Sequence, residues 1–225
     1  MIPAAAFDFL RGLAANNERA WFEANRATYE AAVKQPVAAL IAAVTTELTK
    51  RGLPFEGDPK RSAFRINRDV RFSHNKSPYK TNIGVVWYRQ GSSKGGPGVL
   101  YFHLGPAGCF VGAAFWHPEP DILDSIRERI RVHPDRFAAM EAALAAVDLR
   151  LEDSPRLARM PKGFEDLKNT PIDPALRLKD FIVRRPLTER TVQGRALPTK
   201  IVDLAEHALP LLRFGWAAVD EAAQP

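Results

Sequence analysis

The sequence predicts an α+β protein, a single domain with helices packed on a mainly antiparallel sheet. Apolar residues recur at helical spacing over 4–51, and again over 119–147 and 199–221. Between these blocks, residues 61–117 alternate apolar and polar side chains, with turn residues separating the runs, as antiparallel strands do. A further alternating run at 180–187 returns late in the chain. Helices, then strands, then helices with one returning strand describe a layered α+β fold. With 225 residues the chain is long enough for one well-buried core.

The elements follow in order. Phe7, Phe9, Leu10 and Leu13 mark a first helix, and Asn16-Asn17 supplies a stop and a new N-cap. Trp21, Phe22, Asn25, Tyr29 and Val33 form the stripe of a second helix, and these aromatics read as packing. Pro36 marks the end of that helix or the first turn of the next, which runs through Val37, Leu40, Ile41, Val44 and Leu48 to a C-cap at Gly52. LPFEGDP is a loop. Over 61–67, parity puts Phe64 and Ile66 on the core face of a strand and Arg61, Arg65 and Asn67 on the other. Residues 68–80 then leave regular pairing, because Ser77-Pro78 forces an extended or turn conformation.

Ile83, Val85 and Trp87 alternate with Gly84, Val86 and Tyr88, which predicts a strand covered on both sides. GSSKGGPG at 91–98 connects it to Leu100, Phe102 and Leu104, and Gly105-Pro-Ala-Gly108 turns the chain into CFVGAAFWH. Phe72 and Trp116 are expected to be core contacts. Pro118 and Pro120 frame a helix carrying Ile122, Leu123, Ile126 and Ile130, and another follows through Phe137, Met140, Leu144 and Val147. RLEDSPRLARMPKGF is extended chain and loop, and DFIVRRPL is the late strand. The C-terminal helix is expected to kink near Pro210.

Charge locates the one unusual segment. Lys60 to Lys80 carries seven of the chain's 32 Lys and Arg but one of its 26 Asp and Glu, so its formal charge of +6 equals that of the whole chain. Scattered basic charge would read as solubility, whereas concentrated charge points to an anion-facing site. No secretory leader and no membrane span are expected, and the single Cys109 suits a reducing cytoplasm. Its expected state is a small buried residue.

Other chemistry is excluded by spacing. GSSKGGPG lacks the terminal Gly-Lys-Ser/Thr of a phosphate loop, and the five histidines show no zinc-type spacing. No cofactor and no metal are expected. What remains is Arg65-x-x-Arg68-Asp69-x-Arg71-Phe72-x-x-Asn75-Lys76-x-x-Tyr79-Lys80. Arginine suits bidentate recognition of phosphate or carboxylate, and lysine adds a mobile charge.

This stretch, with FDFLRGLAANNERAWFEANRATYE near the start and PKGF at 161–164, resembles a widespread bacterial family known as a domain of unknown function, number 2461. The resemblance covers nearly the full length and rests on Arg68, Asp69, Arg71, Phe72, Asn75, Lys76 and Tyr79 in that order and spacing. It implies no established activity, cofactor or catalytic residue.

Three readings of the motif stand. One is a site for a phosphorylated small molecule or nucleotide, built from Arg65, Arg68, Arg71, Lys76 and Lys80, with a hydroxyl from Tyr79 and a second phosphate contact at Lys162-Gly163. Asp69 is then the one base candidate within the motif. Another is a nucleic-acid-binding module in which the same cations track a backbone and Tyr79, Tyr88 or Tyr101 stack on bases. The last is an ion-pair network around Asp69 that orders the loop without a ligand.

Overall fold

The computed structural model of the protein describes residues 1–69, 71, 74–92, 95–153 and 155–223. Phe72 lies outside the described residues. The fold is α+β, with a five-stranded antiparallel open sheet in the order β1–β2–β3–β4–β5. The strands are β1 Phe55–Glu56, β2 Ile83–Arg89, β3 Val99–Leu104, β4 Cys109–Phe115 and β5 Phe181–Leu187. The helices are α1 Ala4–Ala15, α2 Arg19–Ala24, α3 Arg26–Thr28, α4 Gln35–Lys50, α5 Pro120–Val132, α6 Pro134–Ala145, α7 Asp173–Leu176, α8 Glu189–Gln193, α9 Leu197–His207 and α10 Leu209–Ala222. The chain resolves into two compact units. One comprises Met1–Gln90, Leu100–Val111 and Pro186–Asp203, and the other Gly91–Val99, Gly112–Arg185 and Leu204–Pro225.

In the first unit, α1 buries Phe7, Phe9, Leu10 and Leu13, as their spacing predicts. Gly12 lets Trp21 lie against α1, since a Cβ there would come within 2.8 Å of the indole. Between α3 and α4 the chain takes a π-helical turn over Tyr29–Lys34. The wide turn ends just before Pro36, which lacks the N–H to bond the Ala32 carbonyl and whose ring would crowd it in a regular α-turn. The helix therefore runs on through Pro36. The continuous helix Arg26–Lys50 is long and apolar enough to cross a membrane by length and composition alone. Its stripe of Val33, Val37, Leu40, Ile41, Val44 and Leu48 is nevertheless at most 2% exposed, packed within the protein. Gly52, at φ +63°, closes α4 with Leu53 N–H donating to Leu48 O and Gly52 N–H to Thr49 O, the paired bonds of a glycine C-cap.

The sheet of this unit begins earlier than its pattern indicates, because Phe55 and Glu56, inside the expected loop, pair with Arg89 and Tyr88 as β1. On β2, Ile83, Val85 and Trp87 are buried on one side and Gly84 and Val86 on the other, the two-sided cover expected. Trp87 is fully buried and donates its indole N–H to Thr45 Oγ1 at 3.1 Å, tying the strand to α4. Strand β3 pairs antiparallel with β2, placing Gly84 opposite His103 and Val86 opposite Tyr101.

Over 61–67 the expected strand is reduced to two isolated bridges, Ala63 with Val85 and Asn67 with Tyr79. Ile66 is buried, but Phe64, expected on the same core face, is 47% exposed. Strict alternation needs one continuous ladder, whereas this segment changes partner between the two residues. Phe64 N–H donates to Gly84 O on the edge of β2, and two residues later Ile66 O accepts from Lys80 N–H.

In the second unit, α5, α6 and α10 pack on one another, with Phe137 of α6 edge-on to Phe214 of α10 at 5.6 Å. Gly215 lets α10 approach Phe115 at the end of β4, since a Cβ there would lie 2.3 Å from the ring. Trp116 is 67% exposed, contrary to its expected core position. Phe115 takes the buried place at the strand end, so its successor points the other way as the chain turns at His117, φ +44°. The late strand forms as β5 beside β4. Near Pro210 the expected kink is a full break, with α9 ending at His207 and α10 starting at Leu209. Pro210 then occupies a first turn, where a missing N–H is tolerated.

Candidate functional site

The basic segment lies in the first unit and forms an irregular hairpin. Arg68 N–H donates to Pro78 O at 2.8 Å and Lys80 N–H to Ile66 O at 2.7 Å, on either side of the Asn67–Tyr79 bridge. These bonds bring Arg65, Arg68 and Lys80 together at the base of the loop, although 15 positions of sequence separate the first and last of them.

The base is fastened from outside by Asn17. Its carboxamide accepts from Tyr79 N–H and donates to Tyr79 O, both at 3.1 Å, so one side chain satisfies both backbone groups of one residue. The sequence reading assigns Asn17 to a helix N-cap; in the structure Glu18 precedes α2 and no side-chain cap forms. The Tyr79 ring is 4% exposed and stacks on Phe22 with centroids 4.3 Å apart and planes 18° from parallel. Phe22 in turn packs with Phe9 and Tyr29, the packing role read for the α2 aromatics. Tyr79 thus anchors the loop through its ring.

The charges divide into two groups. On the loop's outer limb, Asp69 accepts from Arg71 through the backbone N–H at 3.2 Å, Nε at 3.0 Å and Nη2 at 2.7 Å. Those bonds, the side-chain one foremost, hold the Asp69 carboxyl below the usual range, with help from Arg65. This is the opposite of what a general base requires near neutral pH. The pair is exposed and contributes little to stability. Lys76 is exposed on the returning side of the loop, where Asn75 Oδ1 accepts from Ser77 N–H.

At the base, by contrast, Arg65, Arg68 and Lys80 form no ion pair with any described residue. The Lys80 ammonium lies 5.7 Å from the centre of the Phe64 ring. Burial pushes its pKa down, and the Arg65 and Arg68 charges push it further. Among the described residues, no acid pairs directly with any of these three cations, although the Arg65 charge is felt at Asp69.

Lys162 belongs to the second unit and is exposed. The neighbouring Gly163 N–H already donates to Glu165 Oε2 at 2.8 Å. Cys109 is buried, its thiol 3.5 Å from Gly105 O and pushed up in pKa by burial, which leaves it an inert small residue. Among the described residues no group of three or more His, Cys, Asp or Glu is disposed to hold a metal ion.

Fold and site together define an α+β protein in which a clamped loop beside β2 brings Arg65, Arg68 and Lys80 together. The chain belongs to the family described as conserved hypothetical protein, DUF2461, which matches residues 5–214. No curated protein and no solved structure matches it.

Proposed function

We propose that Arg65, Arg68 and Lys80 bind an anion, the phosphate of a phosphorylated small molecule or nucleotide, with Arg71 and Lys76 extending the positive surface along the loop. The reading rests on the cluster at the loop base, which makes no ion pair with any described residue. Holding three like charges together costs free energy unless a counter-charge arrives, and the motif's own acid is already paired with Arg71. Two arginines and a lysine offer fork-shaped and point-charge donors to a tetrahedral anion. Among the described residues, the ligand-free network reading is supported by the Asp69–Arg71 pair, which is local and exposed.

The two readings differ in what Arg68→Ala does. At an anion site this change leaves stability within about 0.5 kcal/mol, because no acid is stranded. It also removes most of the rise in melting temperature that phosphate or sulfate gives the parent, by linkage. Asp69→Asn acts in the other direction, leaving Arg71 unneutralised so that sulfate stabilises the variant more than the parent. Thermal melts of the three proteins, with and without each anion, check this. A parent whose melting temperature ignores both anions, with Arg68→Ala strongly destabilised, would contradict the anion site.

A further inference from the structure

Beside the cation cluster, the first unit presents a row of partly exposed rings. On β3, Leu100, Phe102 and Leu104 point into the core and are fully buried, so Tyr101 and His103 stand on the opposite face. Phe110 of β4 joins them, its ring stacked on His103 at 4.8 Å with planes 6° apart and 5.8 Å from Tyr101. Phe64 lies 6.5 Å from Tyr101 and carries the Lys80 ammonium over its own face. The row thus runs into the cluster of Arg65, Arg68 and Lys80.

Room for the row is built into β2. A Cβ on Gly84 would lie 2.6 Å from the Tyr101 hydroxyl and 2.9 Å from Phe64 Cδ2, so only glycine allows both rings to lie across the strand. An antiparallel sheet ordinarily keeps polar side chains on its solvated face. Here that face has aromatic rings instead, with cations at one end. Burial holds His103 below its ordinary pKa, so its ring is uncharged near neutral pH and packs as a neutral aromatic.

We infer that the row of Phe64, Tyr101, His103 and Phe110 is a stacking platform for a nucleobase, so that the phosphate held by Arg65, Arg68 and Lys80 belongs to a nucleoside phosphate, free or within a single strand. The inference rests on the anion-site reading and adds the chemistry of the rest of the ligand. Aromatic faces accept any base, because every base has a π-face, and cations beside them take the backbone phosphate. A sugar phosphate offers the same anion with nothing to stack.

Titration calorimetry on the full chain at low salt tests this with four probes: inorganic phosphate, ribose 5-phosphate, AMP and an eight-nucleotide oligothymidine. AMP is expected to bind about tenfold or more tighter than ribose 5-phosphate, the lower end of what one stacked base contributes. Phe64→Ala, at an exposed position under Lys80, and Phe110→Leu, which keeps apolar bulk, should each remove most of that difference, and Phe110→Leu should leave inorganic phosphate binding unchanged. A similar advantage for the oligonucleotide over AMP assigns the platform to a single strand, and its absence assigns it to a free nucleotide. Equal affinities for AMP and ribose 5-phosphate, with phosphate still bound, would overturn the platform and leave the anion site standing. No binding by any probe, inorganic phosphate included, would overturn the anion site and the platform with it.

Discussion

Tyr79→Ala lowers the unfolding free energy by about 3–4 kcal/mol, within the range for truncating a buried aromatic side chain. The ring is 4% exposed and stacked on Phe22, so its removal opens a cavity between α2 and the loop base and loses the aromatic pair as well. The effect reaches the site because Lys80 is the next residue. Without the ring, Asn17 is left to fasten the loop base from outside, and the variant should also lose its stabilisation by phosphate. Tyr79→Phe separates anchor from ligand. It keeps the stacked ring and removes only the hydroxyl beside Arg26, whose guanidinium is already paired with Glu23. Stability and phosphate response should both stay close to those of the parent. Urea melts of the two variants make the comparison. A loss below about 1 kcal/mol for Tyr79→Ala, the level of an ordinary surface change, would contradict the anchoring role. A Tyr79→Phe protein of parental stability that no longer responds to phosphate would return the hydroxyl to the ligand.

The second large effect lies in the other unit. Arg127 of α5 is 5% exposed, and it donates Nε to Leu176 O at 2.8 Å and Nη2 to Leu178 O at 3.1 Å. One guanidinium thereby satisfies two buried carbonyls where α7 ends and the chain turns toward β5. Arg127→Met keeps the apolar stem and strands both acceptors, at about 1–3 kcal/mol each, so a total near 3 kcal/mol is expected. Asp124→Ala is the control. Asp124 pairs with Arg127 Nη1 but is 63% exposed at its side chain, and its removal should cost less than about 0.5 kcal/mol. If chemical denaturation ranks the two variants equally, the carbonyl contacts are not what holds this turn.

Arg127 also shows where the sequence stops being legible. Ile126 and Ile130 announce the buried stripe of α5, and the structure buries both. The same helix buries Arg127 and Arg129, which a helical apolar period leaves to solvent, because an arginine goes inside only where partners await it, and those partners lie 49 and 51 residues away for Arg127 and 92 for Arg129. The long periodic helices and the strands β2 to β5 could be read because burial on a regular lattice imposes a period. Residues 61–67 could not, since that segment serves two partners in turn and its parity changes where it leaves β2. The place of Trp116 is not legible for a related reason: hydrophobicity does not reveal which of two adjacent aromatics, Phe115 or Trp116, a strand end turns inward. Two-residue β1 and four-residue α7 are too short to carry a period at all.

The motif itself was visible as charge. Its internal division was not. The sequence places Asp69 amid several arginines and offers no means of choosing which one it neutralises, whereas the turn geometry gives it to Arg71 and leaves the loop base positive. Asn17 escaped for a different reason. An Asn-Asn pair ahead of a helix satisfies the rule for a cap, and nothing local points the second amide to Tyr79, 62 residues away.

The role proposed for Arg65, Arg68 and Lys80 is to hold an anion at the loop base. It is tested most directly by following the Lys80 side chain in a heteronuclear NMR pH titration, with and without saturating phosphate, in the parent and in Arg68→Ala. The free parent should show Lys80 titrating below the ordinary lysine range, from burial first and the two arginines second. A folded pKa below the unfolded value means that the unfolded chain binds more protons between the two, so stability rises with pH across that window. Phosphate should raise the Lys80 pKa by supplying the missing counter-charge, and Arg68→Ala should raise it by removing a like charge. A Lys80 that titrates as an ordinary exposed lysine and responds to neither change would contradict that role.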